Sequence, residues 1–577
     1  MALTERTVRI GALLALTLLA SGCAPATAGS QPITGTSDPT GTAAVTSPLG
    51  AYLAGSVAAR TGDFTAAADL LKKALAADPN NIELLRRAFI ATTGEGHTDD
   101  SIALAKRLLA VEPDNPVANL VLAFEDARVA KYTEADSRLV TLPRTGINNL
   151  LIPLMRAWLA AGNNDLTKAG ELLKPIEEIS QARDTFNFHW GAMAALTGNR
   201  EIADKVFGEM IANDSAPPLR VVEVIGRYYE ATGQLDKARA LYDGFISRDA
   251  DSDFLIVAKQ RIADGKPASR AMDAATDGLA QGMFDMATLW QRERPGGDLA
   301  LVFTRLTLQL DPNFELANLL LAEVLESQHR APQALAVYAA VPRTSPFSWT
   351  ARMRMAILKD SKGDTNGAIA DLKAMADERP RSEEALARAG DILRLHERFD
   401  ESIPLYDAAV SRVSKVERQH WSLLFNRAIS LERSGQYERS IADLKQTLTL
   451  EPDQPYVLNY LGYTWVDRGE NVEEGKKLLE RAAALRPRDG AIIDSLGWAY
   501  YRLKDYPRAL GYLEKAVELK PGDATVNDHL GDVYWQVGRR LEAKYQWERA
   551  LKLGPEASAL APLKRKIEQG LDPAAAK

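Results

Sequence analysis

The chain is poor in the groups that most often carry chemistry. Of its 577 residues, one is cysteine and six are histidine. A single thiol, Cys23, can form no internal disulfide and cannot hold zinc alone. The histidines are His97, His189, His329, His396, His420 and His529. None stands at the spacing of a metal-binding helix such as His-Glu-x-x-His. His189, beside Trp190, is expected in a structural or solvated role. There is no Gly-x-Ser-x-Gly elbow and no phosphate-cradling Gly-x-x-x-x-Gly-Lys. The expectation is therefore no enzyme, with no catalytic residues, no metal ligands and no cofactor. A basic excess is also missing. Lys and Arg total 70 against 77 Asp and Glu, a formal net charge of −7. That argues against a dedicated nucleic-acid binder.

What is present begins with the lone cysteine. Arg6 and Arg9 precede an almost wholly apolar run, Ile10–Ala20, and then Ala-Ser-Gly-Cys closes at Cys23. The run is short for a permanent membrane span and has the form of a signal-peptide core. Small residues leading to a cysteine resemble the bacterial lipobox, although leucine is commoner than alanine at the place of Ala20. The resemblance implies lipidation of Cys23. Two or more acyl chains anchor stably, since each buried methylene contributes about 0.8 kcal/mol. Ala24, not Asp, follows the cysteine, which resembles outer-membrane sorting. The expected location is the periplasmic face of the outer membrane. Residues 24–48 are Ala, Pro, Thr, Gly and Ser with little else and one charge, Asp38. Such a composition cannot bury a core and forms a tether of roughly 25–30 Å reach.

The rest repeats. Proline recurs at Pro452, Pro487, Pro521 and Pro555, at intervals of 35, 34 and 34. Leu-Gly recurs at Leu461-Gly462, Leu496-Gly497 and Leu530-Gly531, and small residues at Ser440, Ala509 and Ala543. Together these resemble the tetratricopeptide repeat. The resemblance is strong over residues 421–555, present at 49–79 and 220–250, and degenerate elsewhere. It implies an all-α solenoid of about fourteen helix pairs. The divisions expected are 1–22, signal peptide; 23–48, lipidated cysteine and tether; and 49–263, an N-terminal array. An irregular repeat or hinge at 264–297 follows, marked by Asp264-Gly265-Lys266-Pro267 and Pro295-Gly296-Gly297. A C-terminal array fills 298–555, and a capping helix with its tail fills 556–577.

In such repeats the first helix of each pair lines a concave groove. The matching positions here are Asn459, Tyr463, Asp494, Trp498, Tyr501, Asp528, Asp532 and Trp535. Val466 falls on the same register. Tyr500 and Tyr534 match buried family positions. The basic members of the family's carboxylate clamp are missing. The groove therefore suits a basic, apolar or proline-bearing segment of a partner protein, with rings as anchors. The end repeats resemble those of large bacterial lipoproteins that bind carboxyl-terminal processing proteases and bring cell-wall hydrolases to them. That implies an envelope scaffold. An assembly factor for a secretion, pilus or exopolysaccharide system is the alternative, and a glycan-active enzyme using Asp or Glu pairs is a third class. Oligomeric state is not legible.

Overall fold

The computed structural model describes residues 47–571 apart from 178, 180–182, 215–216, 247–252, 267 and 269. Cys23, the expected signal segment and the expected tether up to residue 46 lie outside the described residues, while Ser47 and Pro48, the last two tether positions, cap and begin the first helix. Among those described, regular structure is helical, with thirty α-helices and no strand. The chain forms two compact units, one ending at Leu358 and one beginning at Lys359. No described helix is long and apolar enough to cross a membrane.

The first unit contains α1 Pro48–Arg60, α2 Phe64–Ala77, α3 Ile82–Glu95, α4 Thr98–Leu109, α5 Pro116–Arg128, α6 Tyr132–Leu139, α7 Asn148–Gly162, α8 Leu166–Glu177, α9 Arg183–Leu196 and α10 Arg200–Asn213. It continues through α11 Leu219–Ala231, α12 Leu235–Ile246, α13 Asp253–Ala263, α14 Ala275–Glu293, α15 Asp298–Leu310, α16 Glu315–Ser327, α17 Ala331–Ala339 and most of α18 Ser348–Ser361. The second unit contains α19 Thr365–Glu378, α20 Glu384–Leu395, α21 Phe399–Arg412, α22 Trp421–Arg433, α23 Tyr437–Leu450 and α24 Pro455–Arg468. It ends with α25 Val472–Leu485, α26 Gly490–Arg502, α27 Tyr506–Leu519, α28 Ala524–Gln536, α29 Arg540–Lys552 and α30 Ala557–Gln569.

Local chemistry sets these boundaries. Asp489 and Asp523 accept from the first free backbone amides of α26 and α28, satisfying donors that have no partner inside the helix. Pro452, Pro487, Pro521 and Pro555 stand two or three residues beyond the ends of α23, α25, α27 and α29, where the ladder cannot continue. Each pair closes through a small residue on its first helix. A Cβ at Gly497 would meet Leu513 Cγ at 2.7 Å, and one at Gly531 would meet the Trp547 ring at 2.4 Å. Ala509, Ala516, Ala543 and Ala550 are fully buried on the facing helices, as are Leu513 and Trp547. Tyr500 and Tyr534 are buried too, donating to Glu480 and Glu514 at 2.9 Å.

The first unit departs from simple stacking at α14 and α15. After the turn that follows α13, the chain enters α14, nineteen residues long. α14 packs on α7, α5 and α9, and α15 packs on α3 and α5. The α14–α15 hairpin thus lies against the first helices of four preceding pairs, the face a groove would present. Gly278 and Gly282 allow it: a Cβ at Gly278 would sit 2.1 Å from the Trp158 indole, and one at Gly282 2.5 Å from Met155 Cε. His189 is buried in this seam. Its Nδ1 accepts from Trp158 Nε1 at 3.0 Å, so Nε2 carries the proton and donates to Asp285 Oδ2 at 2.9 Å. Gln281 donates to Asp285, and Arg220 to Gln281, both at 2.8 Å. Farther along, Arg305 donates to the Gly94 carbonyl at 3.1 Å and Arg330 to Glu95 at 2.9 Å.

The close approach at Gly497 gives a paired prediction. Gly497→Ala should destabilise the C-terminal repeats by about 1–3 kcal/mol, because a methyl enters a filled seam. Gly511, in mid-α27, has nothing within 4 Å of the place a Cβ would take. Gly511→Ala should therefore stabilise by roughly 0.5–1 kcal/mol through helix propensity. Thermal denaturation of the two variants against the parent checks both signs.

Candidate interaction groove

The eight positions singled out on the sequence fall on α24, α26 and α28. Each of these helices packs on the next, and each positions its side chains by the seam glycine one residue before Tyr463, Trp498 or Asp532. The structure sorts the eight into three groups.

Two carboxylates lie inside. Asp494 is buried and faces His529, whose Nδ1 stands 3.0 Å from Asp494 Oδ2. Burial opposes the charged imidazole, but the Asp494 carboxylate overcomes it and raises the His529 pKa. Trp498 lies flat on this imidazole, centroids 4.0 Å apart and planes within 14°. Asp532 is buried as well. It accepts from Trp547 Nε1 at 2.9 Å and from Lys566 Nζ at 2.8 Å. Burial pushes its carboxyl up to about 6, against the pull of Lys566.

Two more are covered by α30. Asp528 accepts from Lys566 Nζ at 2.8 Å. Trp535 is half-buried beneath Gly570, where a Cβ would come within 2.2 Å of the indole. Burial opposes the Lys566 ammonium, and Asp532 and Asp528 together overcome it and raise its pKa.

Four remain half-exposed on α24 and α26: Asn459, Tyr463, Trp498 and Tyr501. Trp498 and Tyr501 stack with centroids 4.7 Å apart. Trp498 Nε1 points to Asp467 Oδ1 at 3.4 Å, and Arg502 donates to the Asp467 carbonyl at 2.7 Å. Asn459 Oδ1 is buried with no hydrogen-bond partner among the described residues. Burial, with the Asp467 and Asp494 charges, raises the Tyr463 pKa, and burial with the Asp532 charge raises that of Tyr501. Val466, on the same register, is fully buried.

His529, Lys566 and Asp467 were not among the sequence positions. Lys566 had a signal: it lies 34 residues after Asp532, which lies 34 after Trp498. Carrying the period into the capping helix places it opposite the two carboxylates. Elsewhere, a cleft of about 390 Å³ in the first unit is lined by Arg220, Glu223, Arg227, Arg261, Phe314 and Phe347 among others. Arg220 pairs with Glu223 at 2.7 Å and Arg261 with Glu230 at 2.7 Å, so much of its positive charge is answered internally. Among the described residues, no group of three or more His, Cys, Asp or Glu is arranged to hold a metal ion.

Comparison with known proteins agrees with the helix pairs. Family models of the tetratricopeptide repeat match residues 58–123 and 320–556, together more than half of the 577 residues. The chain is a tetratricopeptide-repeat protein. Arrays of this family act as protein–protein interaction scaffolds, and that is the class of function it brings. A TPR repeat-containing protein of Pseudomonas aeruginosa is 37% identical over 92 residues, 16% of each chain. The match thus spans about a sixth of that curated relative. Among solved structures, a chain of the APC/C hetero-tetramer Cut9-Hcn1 is 15% identical, with 92% of this chain and 97% of that one covered, at a TM-score of 0.38. Yeast Tom70 is 14% identical, with 91% and 95% covered, at a TM-score of 0.34. Neither carries a functional argument.

The buried pairs make the C-terminal repeats sensitive to pH. His529 has a raised pKa, so the stability its charge adds is full below about 6.5 and is lost as pH rises through the raised value. Asp532 acts in the same sense. Its folded value of about 6 lies above the ordinary 3.8, so the stability from its proton is full below about 4 and lost as pH rises through 6. Amide exchange in α26–α30 should therefore show protection falling as pH rises from about 5 to 8, after correction for intrinsic rates. His529→Gln should remove the upper part of that fall and Asp532→Asn the lower part.

Proposed function

We propose that this tetratricopeptide-repeat protein is a lipid-anchored, periplasm-facing scaffold that holds envelope proteins together, binding one of them on the α24–α26 face. The observation that carries the binding reading is the half-exposed trio Tyr463, Trp498 and Tyr501 beside an exposed Asp467. Rings on a rigid helix pair offer large contact area at small entropy cost. The nearby carboxylates already have partners: Asp494 is held by His529, and Asp528 and Asp532 share Lys566. A basic segment would have to displace those partners. An apolar or proline-bearing segment would not. The envelope reading rests on the Ala-Ser-Gly-Cys run and the tether that follows it. It fits an adaptor that brings a protease or hydrolase to its substrate.

Two measurements test the two halves. Cys23→Ser should leave an uncleaved or mislocalised precursor that takes up no labelled acyl chain. A variant that still matures at the same site, incorporates label and fractionates with membranes would end the anchor reading. For the groove, the full chain is used as bait in detergent-solubilised membranes, and recovered proteins are identified by mass spectrometry. Trp498→Ala with Tyr501→Ala should then weaken the captured partner by about 2 kcal/mol or more per ring, a factor of roughly thirty each. Affinity and melting temperature are measured on the same variant. Unchanged affinity in a protein that stays folded would remove this face as the binding surface.

A further inference from the structure

The first helix carries a packing surface that the described chain leaves bare. Gly55 closes α1 on α2 as Gly497 and Gly531 close their pairs: a Cβ there would meet Leu71 Cγ at 3.0 Å. Leu71 follows Gly55 by sixteen residues, as Leu513 follows Gly497 and Trp547 follows Gly531. The register is therefore the same. Two residues before the seam glycine stand Ser495 and His529 in the later repeats, and two after it Ala499 and Val533. All four are buried, with the preceding repeat's Trp498 lying on His529. In α1 the same two positions are Leu53 and Val57, exposed by 55% and 49%. Leu49, one turn earlier, is exposed by 67%. Position for position, α1 presents what an interior repeat buries against the helix before it, and no described residue precedes it except Ser47.

The stripe is symmetric. Leu53 lies at the middle of α1, with Leu49 and Val57 four residues to either side. Arg60, at the C-terminal end, is the only charged residue in the helix. Two copies of α1 laid antiparallel about an axis at Leu53 set Leu53 against its copy and Leu49 against Val57, with no like charges opposed along the seam. A two-fold contact of this kind is self-complementary by construction.

The area decides where this contact forms. A thirteen-residue helix is about 20 Å long and 10 Å wide. A pair of them covers far less than the roughly 1,200 Å² of a stable interface. Free in solution the contact is too small. On a membrane the geometry changes. In the anchored reading, only 24 residues separate Cys23 from Pro48. α1 is then the first described element above the lipid, and anchoring confines copies to a thin layer at the membrane, which raises their effective concentration. We propose that α1 is a membrane-dependent pairing helix, joining two copies of the chain through Leu49, Leu53 and Val57. This rests on the anchored reading of Cys23.

The test uses the full chain in its own membranes. Leu53→Cys places a thiol on the proposed axis, while in the anchored chain the sulfur of Cys23 is held in the lipid linkage. Tyr545→Cys on α29, an equally exposed site at 62%, is the control. After fractionation, mild oxidation and non-reducing electrophoresis, Leu53→Cys should give covalent dimer well above Tyr545→Cys. Adding Val57→Glu, at an exposed position that leaves the fold intact, should bring it down to the control, as should release by detergent at high dilution. A membrane-bound chain whose Leu53→Cys form dimerises no more than the control, or dimerises regardless of Val57→Glu, overturns the pairing while leaving the anchor standing. A soluble chain overturns the anchor, and the pairing falls with it because its confinement is gone.

Discussion

The rest of the structure depends on one steric constraint: two helices must approach closely enough that one carries no side chain at the point of contact. Gly226, Gly497 and Gly531 each face a ring or branched side chain on the following helix at distances a methyl could not survive. The facing residue then fills the space that a glycine leaves, so Tyr242, Leu513 and Trp547 are wholly buried without strain. Interiors are packed densely enough that such matching is felt to the single methylene. A pair built this way still has an apolar stripe uncovered. Only the next pair can cover it, and so the seam dictates an array.

The two units use that rule differently. In the first, the chain's own α14–α15 hairpin occupies the first-helix face of four pairs. Gly278 repeats against Trp158 the steric match made inside each pair. A face filled by such a contact has no room for a partner. In the second, α24 and α26 keep rings at the surface, and α30 covers the face of α28 alone. The first-helix face left uncovered in that unit is shorter than the array that builds it.

The 34-residue period was legible wherever contacts are local. The glycine seams, the buried Tyr500 and Tyr534 and the proline stops all follow from spacing within about forty residues. The α14 insertion was not legible, because its contacts are remote in sequence. His189 meets Asp285 across 96 residues, and Arg330 meets Glu95 across 235. Nothing in the neighbourhood of Gly278 announces Trp158, and two glycines a turn apart read locally as a helix weakness. At the expected groove, spacing put all eight positions on α24, α26 and α28 but could not say which carboxylates already had partners. Asp494 and Asp532 stand at groove register and are nonetheless buried, because α28 brings His529 onto the first and α30 brings Lys566 onto the second. Register fixes direction, and the neighbour decides exposure.

The same difference in contact range governs how each unit responds to a load. The first unit is tied by buried polar contacts far apart in sequence: Trp158, His189 and Asp285 join α7, α9 and α14, and Arg305 and Arg330 join α15 and the start of α17 to the end of α3. Opening any one pair there strands a desolvated donor or acceptor, at a cost of about 1–3 kcal/mol each. In the second unit the buried polar contacts join adjacent pairs, as His529 to Asp494 and Lys566 to Asp532 do. The long-range ion pair Arg433 to Glu556, at 3.5 Å, is solvent-exposed and contributes little. Stability in that unit is therefore close to a sum of nearest-neighbour terms, and curvature can change by small rotations at each interface. A scaffold needs one part that holds its shape and one that adapts to what it binds. The half-buried rings Tyr463, Trp498 and Tyr501 sit in the unit whose contacts permit adaptation.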